Sequence, residues 1–353
     1  MPSHKNRKVT QMDVARYAEV STGTVSRVVN NIPLVDGPTR TKVLRAIEEL
    51  GYIPNHAAQA LAQGRTKSLL LLILDKQPIL PSTWQYELPV LQGINDYIKK
   101  HGYTLQIEIT NYGQGETAED VGDTILRGRS VDGLLILTSW EIDEEMLRKI
   151  HGYAIPAIFI GNGPYRCGGH PVGASVRFDN YSVIRETYRI LYGLGHRRIA
   201  FIKGSTDQIH SSIRLSAFLD AAAESGTELP GPYLAEGHYS VQGGYQAMYG
   251  FARLTERPTA VICANDLMAI GAMKAAAELD IPVPRELSIT GFDDIEISEY
   301  LSPPLTTVRV PAYDLGKNGA SLLIRQIEQG TPPEDTLLPA AIVLRKSTDK
   351  NAG

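Results

Sequence analysis

Between residues 10 and 61, small polar side chains recur at spacings that suit contact with a polyanion. Ser21-Thr22-Gly23-Thr24 runs on into Val25-Ser26-Arg27-Val28-Val29-Asn30. Coiled as a helix, this segment turns Val25, Val28 and Val29 inward and presents Thr22, Gly23, Ser26, Arg27 and Asn30 outward. Arginine offers guanine O6 and N7 a two-pronged donor set, threonine can touch a thymine methyl, and short hydroxyls and amides can hold phosphates. A preceding helix over Gln11 to Ala18, capped by Thr10 and with Asp13 in its first turn, makes a helix-turn-helix whose second helix fits a major groove. A third helix is expected after Pro38, with Val43, Leu44, Ile47 and Leu50 inward and Gly51 as its stop. Asn55 to Gln63 is a stretch of good helix formers shorter than the ~12–15 residues an isolated helix needs in water, so it should fold only when docked. Leu61 within it suits a minor-groove wedge.

The elements that must carry this chemistry are set by length and charge. At 353 residues the chain can bury two or three substantial cores. Its net charge of -4 hides an asymmetry, because residues 1 to 67 hold ten Lys/Arg against five Asp/Glu. That basic end is the polyanion binder. Two cysteines far apart, Cys167 and Cys263, and a polar start without a basic-then-apolar leader predict a reduced, cytoplasmic setting. No membrane partner is expected, since the longest apolar run, Leu69 to Leu74, reads as a buried strand. No Gly-x-Ser-x-Gly, His-Glu-x-x-His or Walker pattern occurs, and no histidine has metal-ligand spacing. The expectation is a non-enzyme without metal or cofactor.

Beyond Lys67 the texture changes. Strands are predicted at 68–74, 103–109, 133–137, 157–160, 198–203, 260–263 and 287–290. Helices are predicted near 88–101, 116–127, 144–150, 181–194, 214–224, 242–254 and 266–279. Strands alternating with helices predict parallel sheets covered on both faces. The pattern restarts near 176 after the Gly/Pro-rich stretch 161–173, so two doubly wound lobes with a ligand cleft between them are expected.

From Val9 to about Lys346 the chain resembles the LacI/GalR family of bacterial transcription regulators. The resemblance rests on residues 9–30 and 39–55, Gly195-His196-Arg197-Arg198-Ile199-Ala200, Ala264-Asn265-Asp266-Leu267-Met268-Ala269-Ile270-Gly271, Gly291-Phe292-Asp293-Asp294 and Pro303-Pro304-Leu305-Thr306-Thr307-Val308, in order. It implies an all-α helix-turn-helix headpiece (1–54), a hinge helix and linker (55–67) and an α/β periplasmic-binding-protein-like core (68–347). Lobe one is then about 68–161 and 305–330, and lobe two about 176–300 and 337–346. It also implies a homodimer on operator DNA, and with no C-terminal heptads a dimer is expected rather than a tetramer.

By the same resemblance Thr22 and Gly23 are the base-reading pair, Arg27 the groove arginine and Leu61 the hinge wedge. Thr10, Ser21, Thr24, Ser26, Asn30, Asn55, His56 and Ala58 complete the DNA-facing set. Glu19 departs from the glycine usual in the turn, which raises the prospect of strain and weaker DNA affinity. Arg214 resembles the effector arginine, Asn265 and Asp293 the hydroxyl-binding pair, and Tyr239 an aromatic cover, while Asp266 is expected to cap the following helix. The family's Asp-x-x-Asn-Pro-Phe stretch is replaced after Asp75, where Trp84 and Tyr86 could stack on a sugar face or could pack within a dimer-interface loop. Asp75, Glu87 or Asn162 could bind hydroxyls. The leading expectation is an operator-binding repressor released by a small carbohydrate effector. The alternatives are a purine-like corepressor that tightens DNA binding and a solute-binding protein, the last opposed by the headpiece.

Overall fold

The computed structural model describes residues 9–29, 32–52, 65–75, 84–111 and 130–351. They divide into two compact units, Met1–Lys67 and Ser68–Gly353. The expected helices at 55–63 and 116–127, and with them Asn30, Asn55, His56, Ala58 and Leu61, lie outside the described residues.

Three helices form the first unit: α1 (Gln11–Tyr17), α2 (Thr22–Val29) and α3 (Gly37–Leu50). Thr10 and Asp13 cap α1 reciprocally, which removes two otherwise unpaired N–H groups from the helix start. Asp36 caps α3 and Gly51 ends it in the left-handed conformation at φ 61°. Val14, Ala15, Ala18, Val25, Val28, Val43 and Ala46 make the core. Leu44, expected inward, is 49% exposed, because α3 turns Val43 and Ala46 to the other helices instead.

In the second unit the apolar runs become parallel strands. Lobe one holds β1 (Ser68–Asp75), β2 (Thr104–Asn111), β3 (Gly133–Thr138), β4 (Ala157–Ile160), β7 (Ala174–Phe178) and β13 (Thr336–Leu338), in the order β13-β7-β4-β3-β1-β2. Helices α4 (Trp84–Lys100) and α5 (Glu144–Gly152) lie between them in sequence. The unbroken run of β1 follows from this layering: Leu69, Leu71 and Ile73 join one core and Leu70, Leu72 and Leu74 another. A small hairpin, β5 (Arg166–Cys167) and β6 (His170–Pro171), fills part of the Gly/Pro-rich stretch.

Lobe two holds β8 (Ile199–Lys203), β9 (Leu234–Glu236), β10 (Ala260–Cys263) and β11 (Ser288–Thr290), in the order β11-β10-β8-β9. Four helices accompany them: α6 (Asn180–Gly193), α7 (Ile209–Glu224), α8 (Val241–Ala252) and α9 (Asp266–Glu278). α6 packs on α7, and α8 on α9.

The chain then crosses between lobes, along a path that differs from the expected one. Residues 305–309, assigned by sequence to lobe one, run beside lobe two: Gly291 N–H donates to Thr306 O at 2.9 Å and Asp293 N–H to Val308 O at 2.8 Å. The chain enters lobe one as α10 (Ala312–Gln329) and adds β13 to its sheet, so Leu337 and Leu338 belong to lobe one rather than two. It returns through β14 (Ala341–Val343), antiparallel to β12 (Thr307–Arg309).

Candidate effector cleft and nucleic-acid interface

On α2 the residues Thr22, Gly23 and Arg27 are exposed, and Thr24 and Ser26 half-buried. Ser21 Oγ accepts from Thr24 N–H at 3.1 Å and lies 2.9 Å from Thr24 Oγ1. Both hydroxyls therefore start the helix. Thr10 Oγ1 is likewise engaged, donating to Asp13 Oδ2 at 2.6 Å. Gln11 Nε2 donates to Thr22 O at 3.1 Å and ties α1 to the start of α2. Glu19 does adopt a left-handed backbone, φ 50°. Its carboxylate pairs with Lys42 Nζ at 2.8 Å, and that ammonium holds its pKa below the usual carboxylate value. The turn accepts a side chain at some backbone cost, and the acidic group faces a cation of α3.

The second constellation stands at the C-terminal ends of the core strands, where parallel sheets collect ligands. Arg214, in the second turn of α7, is 5% exposed. Its Nε donates to Asn180 Oδ1 at 2.8 Å, Nη1 donates to Ala264 O, and the guanidinium carbon stands 3.6 Å over the centroid of the Phe292 ring. These contacts fix the plane of the fork and leave further N–H groups on it.

Asp293 and Asp294 have opposite fates. Asp294 accepts from Arg309 Nε at 2.6 Å and Arg345 Nη2 at 2.7 Å, and so pins the crossing strands. Asp293, at φ 111°, makes no ion pair within 4.0 Å among the described residues, although the Arg214 charge acts on it. Burial pushes its pKa up to about 8, with Arg214 opposing and the Asp266 and Glu87 charges adding to the rise. Asp293 lines a cavity together with Tyr86 of lobe one.

Asn265 takes the capping part that was expected of Asp266. Asn265 Oδ1 accepts from Met268 N–H at 2.9 Å as the cap of α9, and its Nδ2 donates to Tyr239 O at 3.2 Å, leaving one amide N–H. Asp266 is fully buried and does not cap the helix. It accepts from Ile295 N–H, Ser298 Oγ and Thr307 Oγ1, so it staples the loop that carries Asp293. Tyr239, at φ 53°, packs its ring where a side chain on Gly204 would stand, and its buried hydroxyl lies near Ser211.

Lobe one supplies the opposite wall. Trp84 and Tyr86 lie in the first turn of α4, one turn earlier than the sequence pattern suggested, and both pack against the main core. Asp75 Oδ1 accepts from Trp140 Nε1 at 2.8 Å. Buried Asn162 donates to Thr138 O, bridging the ends of β4 and β3. The Tyr86 hydroxyl sits 3.3 Å from the Cβ that Gly161 lacks.

His210, Asn180, Trp140 and Phe292 are the site residues that sequence reading missed. His210 lies one turn before Arg214 and its Nε2–H donates to Gly161 O at 3.1 Å, from lobe two to lobe one. Burial and the nearby Arg214 push its pKa down to about 4, so it is neutral at physiological pH. The i, i+4 spacing of His210 and Arg214 was the available signal. Ile209 N–H donates to Ser139 O at 3.3 Å, and Trp140 bridges to Gln208. The start of α7 thus spans both lobes.

A helix-turn-helix with a polar second-helix face, carried by the same chain as a two-lobed core with a cleft of mixed donors and acceptors, defines a ligand-responsive DNA-binding regulator. Residues 10–55 match the family model for bacterial regulatory proteins of the lacI family, and residues 188–348 a periplasmic binding protein-like domain. The PurR transcriptional repressor of Vibrio vulnificus is 32% identical over 322 residues, covering 90% of this chain and 92% of the relative. The ribose operon repressor of Haemophilus influenzae is 30% identical, covering 96% and 98%. The lac repressor dimer bound to operator superposes with a TM-score of 0.80 at 29% identity, covering 97% of this chain and all of that one. The chain belongs to the LacI family of bacterial regulators. It is a DNA-binding transcriptional repressor, not an enzyme, and works in the cytoplasm where its DNA lies. No described helix is long and apolar enough to cross a membrane.

Proposed function

We propose that the protein is an operator-binding repressor released by a small carbohydrate bound between the lobes of its core. The carrying observation is that buried Asp293 feels the Arg214 charge yet makes no ion pair among the described residues, with the Tyr86 hydroxyl, which has no hydrogen-bond partner, lining the same cavity as Asp293. Such a set of donors and acceptors suits a polyol. The ribose operon repressor and a regulator solved with cellobiose are relatives whose names point the same way.

On DNA, Arg27 and Thr22 read base edges and Gly23 permits close backbone approach, while Ser21, Thr24, Ser26, Asn30 and Asn55 hold phosphates, with Thr10, His56 and Ala58 beside them. Leu61 opens the central minor-groove step, and two copies of the chain supply the two half-sites. Ligand draws the lobes together, and the short hinge segments lose their mutual packing and release Leu61. Moving occupancy from 99:1 to 1:99 requires a preference of about 5.5 kcal/mol for the released state.

A thermal-shift screen of sugars and nucleobases, with hits retested by operator gel shift, tests this reading. Sugar hits that release operator support induction. A PurR relative favours a second reading, corepression by a purine, and nucleobase hits that tighten operator binding would establish it instead. In the same assay Leu61→Ala should weaken operator binding and leave ligand affinity unchanged; an unaltered operator Kd removes the wedge.

A further inference from the structure

We propose that lobe one completes the start of α7: Ser139, Trp140 and Gly161 form with Gln208, Ile209 and His210 a latch that favours the closed core before any ligand binds and orders the helix start that carries Arg214.

The helix α7 begins unlike its neighbours. Of the four described lobe-two α-helices, α6, α8 and α9 are capped by the side chains of Asp179, Ser240 and Asn265, whereas Gln208 at the head of α7 makes no side-chain cap. The first N–H groups of a helix have no partner within it and must find one elsewhere. Ile209 N–H finds Ser139 O of lobe one at 3.3 Å. Trp140 and Gln208 pair there as an antiparallel bridge, and beside them His210 Nε2–H donates to Gly161 O at 3.1 Å. The His210 ring also meets Phe178 at the end of β7, with centroids 6.1 Å apart.

Each lobe-one partner is itself held. Trp140 N–H donates to Thr138 Oγ1 at 3.0 Å and its indole N–H to Asp75 Oδ1 at 2.8 Å, while Gly161 N–H donates to Val176 O at 2.8 Å. Gly161, at φ 92°, also lets the lobes come close, since a Cβ there would stand 3.3 Å from the Tyr86 hydroxyl and 3.8 Å from His210 Cε1. Lobe one therefore offers fixed acceptors to a helix start that lacks a cap of its own. Opening the lobes returns Ile209 N–H and His210 Nε2–H to water, and closing them restores both bonds. Because water competes for each donor, the net gain per bond is modest. The latch biases closure rather than fixing it, and a ligand adds to a closure the chain already favours.

The test uses the ligand-free full chain and hydrogen–deuterium exchange read by mass spectrometry, which reports rare openings. Ile209→Pro removes the N–H that reaches Ser139 O and keeps the helix start, because proline suits the first helical position and Gln208, at φ -97° and ψ 131°, already has the extended form required before it. Ile209→Ala is its control, losing the side chain and keeping the N–H. His210→Ala removes the second bond. Exchange should rise about two- to tenfold, the range for one lost hydrogen bond, both over residues 209–216 and in the lobe-one turn at 139–142. That rise is expected in Ile209→Pro relative to Ile209→Ala, and in His210→Ala relative to wild type, with circular dichroism verifying each fold. A rise confined to 209–216 overturns the latch, because the bonds would then serve the helix alone. Unchanged exchange in both segments overturns it as well.

Discussion

His210 joins the two lobes through one hydrogen bond that only its neutral form is suited to hold in so dry a place. Its folded pKa of about 4 lies below the 6.5 expected of the unfolded chain, so the unfolded state binds the extra proton between those values. The stability it contributes is complete above pH 6.5 and is lost as the pH falls toward 4. Glu87 and Asp293 act in the opposite sense: raised to about 7 and about 8, they favour the fold at low pH and lose that contribution as the pH rises. A comparison with His210→Gln, whose amide can still donate to Gly161 O, isolates the histidine. Between about pH 7.5 and pH 5 the wild type should lose about 2 kcal/mol more than the variant in urea denaturation, at roughly 1.4 kcal/mol per unit of pKa difference. Parallel pH curves would remove His210 as the origin. The family resemblance pointed to Arg214 and Asp293. It did not supply His210 or Asn180, whose roles depend on groups 49 and 34 residues away in the chain.

Two helices brace the cleft's lobe-one wall, and their crossing is unusually close. A Cβ on Gly93 of α4 would fall 2.0 Å from Tyr313 O, and one on Gly316 of α10 would fall 2.0 Å from Val90 O. The backbones touch because each helix brings a glycine to the other. Gly93→Ala should therefore push α10 away and destabilise the core by about 1–3 kcal/mol or more, the usual range for overpacking. Gly250→Ala in α8 is the control, since nothing lies within 4 Å of its added methyl, and it should stabilise by up to about 1 kcal/mol through helix propensity. Urea midpoints decide it, and equal midpoints for both variants would refute the close crossing. At this scale the sequence was most legible where a strand is buried on both faces, as in β1, β3, β4 and β10. It was least so for β9 and β12 to β14, three-residue strands that exist by virtue of their partners rather than by any alternation of their own. α4 also began a turn before its pattern, because Trp84, Tyr86 and Pro89 do not read as a helix start.

The order of the lobes along the chain was legible from the restart of the strand pattern, and the final crossing was not. β13 joins β7 across some 160 residues of sequence, and no local signal states which sheet a late strand will enter. That crossing matters for function. Residues 291–309 carry Asp293 on the lobe-two side, while α10, which follows directly, packs on α4, the helix whose first turn holds Tyr86. A ligand holding Asp293 and the first turn of α4 together therefore acts on the segment that runs from one lobe to the other. The helix-turn-helix belongs to the other compact unit, and coupling between two binding sites is typically worth about 1–3 kcal/mol. Reciprocity then sets the expected result. If effector raises the operator Kd of the full chain by some factor, operator must raise the effector Kd by the same factor. Arg214→Lys, which keeps the charge and loses the planar fork, should weaken effector binding to free protein while leaving the operator Kd in the absence of effector unchanged. Both titrations on one preparation, with and without operator, measure all four constants. A variant that alters the effector-free operator Kd would show that Arg214 biases the conformational equilibrium itself rather than only the ligand's grip on it.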